Sequence, residues 1–356
     1  MPHPSHSKDE FPMAGRRKFL KVAGATGIAG LTGLSGCTGG GDGDGGDGDG
    51  GGDSTTAEST ATTSSGPAEI TFTLTPAESE VDVRKQYQPL FDYLESEADV
   101  SIESSVAADY AAVYSSLESG QTDVADAAPA IAIQSADNDV AEVAGIRIAY
   151  GAAKYFSLIT TLPDSDIESL SDLESETVAF ADRLSTSGSI FPLYMLNDAG
   201  LDTGGAPNGT PEDFEGQWSD HSQARKTLIN RDPVVAAGTG AFSTAGHVPK
   251  DQFSDQFLEM SAENDGDLGT ADPELQLLAE SNPIPRAPIL MRTGLDSTVK
   301  SDVTEALLAA GEEDLINEDL GDDQQLWFTG LSEGTVEAYQ PVRDAFEALG
   351  VDLGNA

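Results

Sequence analysis

The sequence predicts an α/β fold with mainly parallel sheets, large enough to divide into two lobes. Three observations carry this. Strand-like and helix-like segments alternate from about residue 68 onward. Some 290 residues follow the low-complexity N-terminal stretch, enough for two lobes with their own cores. No internal repeat is present.

The first elements show the alternation. Ile70, Phe72 and Leu74 alternate as a half-buried strand, and Tyr87, Leu90, Phe91 and Leu94 then share one helical face. Pro89 lies within that face and implies a kink or a later helix start. Asp109 can cap a helix carrying Val113, Tyr114 and Leu117, which Gly120 stops. Short strands follow at 124–127, 146–149 and 155–161, then a strand at 177–181 and an amphipathic segment at 190–199 that ends at Gly200. A helix from about 222 to 230, a strand at 234–237, and helices near 298–310 and 335–348 complete the series.

Composition bounds the partners. The chain has 62 acidic and 18 basic residues, a formal charge of -44. That balance argues against nucleic acid and anionic membrane surfaces as partners. Disorder does not account for it beyond the linker, because 38% of residues are hydrophobic and the apolar positions there are periodic. An acidic surface with few lysines suits concentrated salt, where the Debye length falls to ~3 Å at 1 M and self-repulsion is screened. The surface reads as that of a halophile.

Residues 1–37 read as an export signal. Gly15-Arg16-Arg17-Lys18-Phe19-Leu20-Lys21 is a twin-arginine pattern, followed by a glycine-rich apolar run. That run is shorter than the about 20 apolar residues of a membrane span. It ends in Leu34-Ser35-Gly36-Cys37, a lipobox-like sequence that places the chain's single cysteine where a lipid anchor would be attached. With one cysteine, an intramolecular disulfide is excluded. Residues 39–53 are only Gly and Asp, and a Ser/Thr-rich stretch continues to Gly66. The segment 38–67 has nothing to bury and reads as a flexible tether reaching ~30 Å, holding a module near the outer face of a membrane.

The most informative local motif is Ser185-Thr186-Ser187-Gly188. It joins a strand to a helix start, where hydroxyls, backbone N–H groups and the positive end of the helix dipole converge on one point suited to an oxyanion. In so acidic a chain, neutral donors must do much of the binding. The same residues also suit a plain helix cap.

Several pieces occur in a recognisable order: Ala108-Asp109-Tyr110-Ala111, Gly120-Gln121-Thr122-Asp123-Val124-Ala125, Tyr155-Phe156-Ser157-Leu158-Ile159, the hydroxyl turn with Pro192 and Tyr194 behind it, and Ser219-Asp220-His221-Ser222. In this order they resemble the substrate-binding proteins of phosphate/phosphite/phosphonate ABC importers, over roughly residues 68–300. The resemblance implies a type II periplasmic-binding-protein-like fold: two α/β lobes joined by a hinge, with ligand in the cleft. Lobe 1 would take 68–156 and 276–356, and lobe 2 would take 157–275. Tyr110 and Tyr155 would form one wall, Ser185, Thr186 and Ser187 the other, and His221 would complete the oxyanion shell. Hydroxyls and phenols donate without adding charge, and His221 would donate more strongly if protonated by the anion. The bland alternatives are a solvent-facing His221 and core aromatics at Tyr110 and Tyr155. His247 reads as exposed, and Trp218 and Trp327 as packing residues.

Family members that bind aminoalkylphosphonates imply carboxylates that hold the ligand's ammonium. The corresponding stretches here are Val235-Ala236-Ala237-Gly238-Thr239-Gly240-Ala241 and Pro283-Ile284-Pro285-Arg286-Ala287-Pro288, which offer none. A buried ammonium without a carboxylate is costly. The expected ligand is therefore phosphate, phosphite or a small alkylphosphonate. Arg286 is a candidate fork for its oxygens, or else a structural partner of one of the many acids.

The leading function is a tethered receptor that delivers an oxyanion to the permease of an ABC importer, with no enzymatic activity, cofactor or metal. Two alternatives stay open. One is an extracellular serine hydrolase using Ser185 or Ser187, His221 and Asp182 or Asp220, although no Gly-x-Ser-x-Gly elbow surrounds these serines. The other is an oxyanion sensor without transport.

Overall fold

A computed structural model of the chain describes residues 66–351, apart from 150, 231–232, 266–267, 269–272 and 322–323. The expected signal, the lipobox at Cys37 and almost all of the tether lie outside the described residues.

The chain begins with strand β1 (Ala68–Leu74), helix α1 (Val83–Glu97), β2 (Val100–Val106), α2 (Tyr110–Glu118), β3 (Val124–Asp126), α3 (Pro129–Asp137) and β4 (Ala141–Ile148). It continues through β5 (Lys154–Tyr155), β6 (Ser157–Thr161), β7 (Thr177–Phe180), α4 (Phe191–Asp198), β8 (Glu215–Trp218), α5 (His221–Ile229) and β9 (Val234–Gly240). The remainder comprises α6 (Ala241–Thr244), α7 (Asp255–Met260), β10 (Gln276–Glu280), β11 (Ile284–Pro285), β12 (Pro288–Arg292), α8 (Ser297–Ala309), α9 (Glu312–Leu315), β13 (Gly330–Ser332) and α10 (Gln340–Leu349).

Among the described residues two larger sheets form, ordered β13-β4-β12-β3-β1-β2 and β10-β6-β9-β7-β8. Both are mixed, not mainly parallel. Strands laid down by local strand–helix–strand crossings are parallel: β1 with β2 and β3, and β7 with β8 and β9. Strands delivered by a passage between the sheets run the other way. Thus β12 is antiparallel to β3 and β4, and β6 is antiparallel to β9 and β10. A parallel pair needs a crossover connection, and these passages supply none.

The two passages are themselves paired. β5 and β11 form an antiparallel ribbon, with Ile284 opposite Tyr155 and Pro285 opposite Lys154. This ribbon splits the strand expected at 155–161. The break falls at Phe156, which turns into the core against Phe257 with ring centroids 4.9 Å apart. The strand at 276–280, expected with the first lobe, pairs in the second sheet, so the chain crosses back only after Glu280.

Local chemistry explains the helices. Asp109, Asp220 and Asp296 each accept a backbone N–H at a helix start, at 2.7, 2.9 and 2.9 Å. Gly120, with φ at +72°, ends α2 in the left-handed region where a side chain is disfavoured. Pro89 neither starts nor stops α1. It lies inside the helix and cannot bond the Lys85 carbonyl four residues back, and the Asn317 side-chain amide donates to that carbonyl instead. The apolar face of α1 then packs on β1, with Phe72 and Phe91 rings 5.1 Å apart and Tyr87, Leu90 and Leu94 fully buried. Each such side chain contributes about 1.5–3 kcal/mol. Trp218 packs as expected, stacked on Phe180 and donating Nε1–H to Ser189 at 3.0 Å.

Candidate ligand-binding site

The hydroxyl turn follows β7 and is buried throughout. Ser185 caps it, its Oγ accepting the Gly188 N–H at 3.1 Å. The Ser185 carbonyl accepts from both Ser189 and Ile190, at 3.0 and 3.1 Å, so the chain makes one wide turn before α4 begins. Backbone and neighbours approach very closely here. A Cβ on Gly188 would lie 2.3 Å from the Ala181 Cβ and 2.6 Å from the His221 Cε1.

His221 opens α5 and is 1% exposed. Its Nδ1 accepts the Gly240 backbone N–H at 2.9 Å, and its Nε2 lies 3.1 Å from the Ser185 Oγ. Both ring nitrogens therefore have partners within the protein, Nε2 through Ser185 of the same hydroxyl turn. Burial pulls its pKa down to about 3, so the ring is neutral. The hydrolase alternative also fails on this geometry. A triad needs a carboxylate on Nδ1, where a backbone amide sits instead. Asp220 caps α5, and Asp182 accepts the N–H groups of Leu184 and Tyr110 at 2.8 and 3.3 Å.

Tyr110, at the start of α2, presents its phenol to Ser185. Tyr155, on the crossing ribbon, faces the hydroxyls of Ser187 and Thr186, and burial pushes its pKa up to about 12. Both phenols stay protonated and can donate. Thr186 accepts the Ala130 N–H at 3.1 Å, tying the turn to the first turn of α3.

Arg286 follows β11. Its Nε donates to the Ala152 carbonyl at 2.9 Å, while Nη2 is buried with no hydrogen-bond partner among the described residues. Burial lowers its pKa to about 10 against the opposing pull of Glu263, so it remains a cation at neutral pH. All seven candidate binding residues, Tyr110, Tyr155, Ser185, Thr186, Ser187, His221 and Arg286, line one cavity of about 70 Å³ between the two sheets.

Sequence reasoning missed other parts of the lining. Asp126 on β3 and Arg147 on β4 reach each other beneath the cavity, with Nη2 2.5 Å from Oδ1. The contact is an ion pair by distance, its angle short of hydrogen-bond geometry. Arg147 also donates to the Ala287 carbonyl at 2.9 Å and the Tyr87 hydroxyl at 3.3 Å. One charged residue within each of two apolar strand runs was the available signal. Trp327 packs as expected and also reaches the cavity. It stacks on Phe242, centroids 5.6 Å apart, and both line the cavity. His247 is only partly exposed and sits 3.0 Å from Glu274. Among the described residues, no group of three His, Cys, Asp or Glu side chains is placed to hold a metal.

The family of periplasmic substrate-binding proteins of phosphonate ABC transporters matches residues 72–339. The chain belongs to this family. The family is one of periplasmic substrate-binding proteins and is non-enzymatic. Over 139 residues it is 32% identical to the phosphate-import protein PhnD of Mycolicibacterium smegmatis, covering 38% of this chain and 43% of that protein. The chain thus matches less than half the length of that curated relative. The fold is similar to a binding-protein component of an ABC phosphonate transporter from Pseudomonas aeruginosa, with TM-score 0.60 and 19% identity over 80% of this chain and 87% of that one. It is also similar to PhnD1 of Prochlorococcus marinus in complex with methylphosphonate, with TM-score 0.60 and 14% identity over 80% and 99%. These likenesses place the fold among type II periplasmic binding proteins. Among the described residues, no helix is long and apolar enough to cross a membrane.

Proposed function

We propose that this protein captures a small phosphorus oxyanion without an amine, namely phosphate, phosphite or a small alkylphosphonate, and delivers it to the permease of an importer. The observation that carries the proposal is the pairing of Arg286 with the hydroxyl turn. A guanidinium with a buried, unpartnered Nη2 faces a cavity otherwise supplied with neutral donors from Ser185, Ser187, Tyr110 and Tyr155. Uncharged donors and one cation suit an anion in a chain of formal charge -44.

Size and lining support the ligand class. A cavity of about 70 Å³ is far smaller than the 300–1,000 Å³ pockets that take drug-sized molecules. Ala127, Ala128, Ala287, Phe242 and Trp327 give it an apolar side, suited to a hydrogen or methyl substituent on phosphorus. The strand and crossing expected to answer an ammonium carry Ala236, Ala237, Arg286 and Ala287. Asp126 is the acid in the lining, and Arg147 already neutralises it.

The two sheets serve as lobes, and the β5–β11 ribbon as the hinge between them. Closure is favoured by ties from the loop after β1 to α5. Glu80 meets Arg225 at 2.7 Å and Lys226 at 2.5 Å, and the Ala77 carbonyl accepts the His221 N–H at 3.3 Å. Export through the twin-arginine route, a lipid on Cys37 and the acidic tether would hold the module beside its permease in a salty medium. Competition calorimetry in concentrated salt tests the ligand class. Methylphosphonate or phosphate should bind in a one-to-one complex, with 2-aminoethylphosphonate weaker. Tightest binding of 2-aminoethylphosphonate would overturn the amine-free reading.

A further inference from the structure

His221 lines the cavity with both of its nitrogens already partnered in the protein, and the consequence falls on Ser185. We infer that His221 is a positioning residue that makes Ser185 an obligate hydrogen-bond donor to the bound oxyanion. The inference rests on the proposed binding reading for its ligand, and on geometry for its polarity.

The polarity follows from one group that can only donate. The Gly240 backbone N–H points at Nδ1 from 2.9 Å, so Nδ1 carries no proton. A neutral imidazole bare at Nδ1 is protonated at Nε2, and that N–H donates to the Ser185 Oγ 3.1 Å away. The Gly188 N–H, also at 3.1 Å, donates to the same oxygen. A hydroxyl has two acceptor sites and one proton. With both acceptor sites filled, the Ser185 proton must be donated onward, to the Tyr110 phenol oxygen beside it or to a ligand oxygen that takes that place in the cavity. Ser185 therefore cannot accept from a P–OH group. The ligand oxygen seated there accepts the Ser185 proton, a role that favours an unprotonated, charge-bearing oxygen over a P–OH.

Neighbouring groups leave this arrangement intact. Phe242 rests edge-on against the ring with centroids 4.8 Å apart, fixing its orientation. Asp220 and Arg225, on the ring's own helix, pull its charge in opposite directions. Glu78 comes from the loop after β1 and accepts from Ser222 at 3.3 Å. On the Ser185 side, Tyr110 presents a protonated phenol, and Asp182 stands behind it on the Tyr110 amide. Across the cavity, Tyr155 is a protonated phenol and Arg286 a cation, while Asp126 and Arg147 answer one another. None of them reaches Nδ1, where the Gly240 amide sits.

Nitrogen-15 NMR of the histidine rings, on the full chain with and without methylphosphonate between pH 5 and 8, reads the tautomer directly. His221 should be neutral and protonated at Nε2 in both states. A protonated imidazolium or an Nδ1–H tautomer in the loaded protein overturns the inference. A double-mutant cycle reads the coupling. His221→Asn keeps an acceptor for Gly240 but removes the donor to Ser185, and should weaken methylphosphonate binding about tenfold. In a Ser185→Ala background the same change should cost nothing further; an equal loss in both backgrounds would show that His221 acts by another path. If a variant does not fold, the wild-type spectra decide. If the wild type binds no methylphosphonate, the ligand reading fails, and the free-state tautomer still tests the polarity.

Discussion

Asp126 and Arg147 meet at 2.5 Å beneath the cavity, reaching each other from β3 and β4 past the strand β12 that separates them. Both are almost completely buried. Removing one partner strands a charge in the interior, which typically costs about 3–5 kcal/mol. Asp126→Ala should lower stability by about that amount in urea unfolding. Replacing both residues with apolar side chains of similar volume should lose much less. Equal losses in the single and double variants would show that the pair matters through packing, not charge.

Stability should fall as pH drops from neutral, and His221 should supply much of the fall. Its pKa is about 3 in the folded protein against 6.5 in an ordinary imidazole. Below about 6.5 the unfolded ring takes up a proton that the folded ring refuses, so acid favours unfolding. The contribution is complete above that pH and is lost progressively toward pH 3, up to roughly 4–5 kcal/mol. Denaturation of wild type and His221→Asn at pH 7 and pH 4.5 checks this. The gap between them should narrow in acid, and a constant gap would contradict it.

Gly188→Ala should damage the site from within. The added Cβ meets the Ala181 Cβ at 2.3 Å, against a neighbour with no flexible end to move. Overpacking of this kind costs about 1–3 kcal/mol, and the turn should shift away from His221. Calorimetry should show weakened oxyanion binding together with a lower melting temperature. Unchanged values for both would mean that the turn is looser than its contacts imply.

Asn317→Ala offers a control remote from ligand chemistry. It removes the donor to the Lys85 carbonyl left open by Pro89. The expected loss is about 1 kcal/mol of stability, with oxyanion affinity unchanged.

Much of this organisation is legible in the sequence because it is local. The aspartate caps, Gly120 and the hydroxyl turn are read from neighbouring residues, and they sit where the pattern places them. The mixed sheets are not legible, because β12 enters between β3 and β4 from more than a hundred residues downstream. For the same reason Asp126 and Arg147 look like two unrelated charges in apolar runs. Pro89 reads as a helix defect until Asn317 arrives from a distant loop. His221 stands out by its place in the family order, but its role depends on Gly240, which sequence alone cannot bring to Nδ1.

In the proposed site, Arg286 and the hydroxyl turn together hold the ligand's charge. Arg286→Leu tests this most directly, titrated with methylphosphonate beside the wild type in concentrated salt. Losing a desolvated charge partner typically costs 2–5 kcal/mol, so affinity should fall by about a hundredfold or more. Folding stability should hold or rise, because a buried guanidinium whose Nη2 has no partner among the described residues is no longer carried. Undiminished affinity in the folded variant would contradict the assignment.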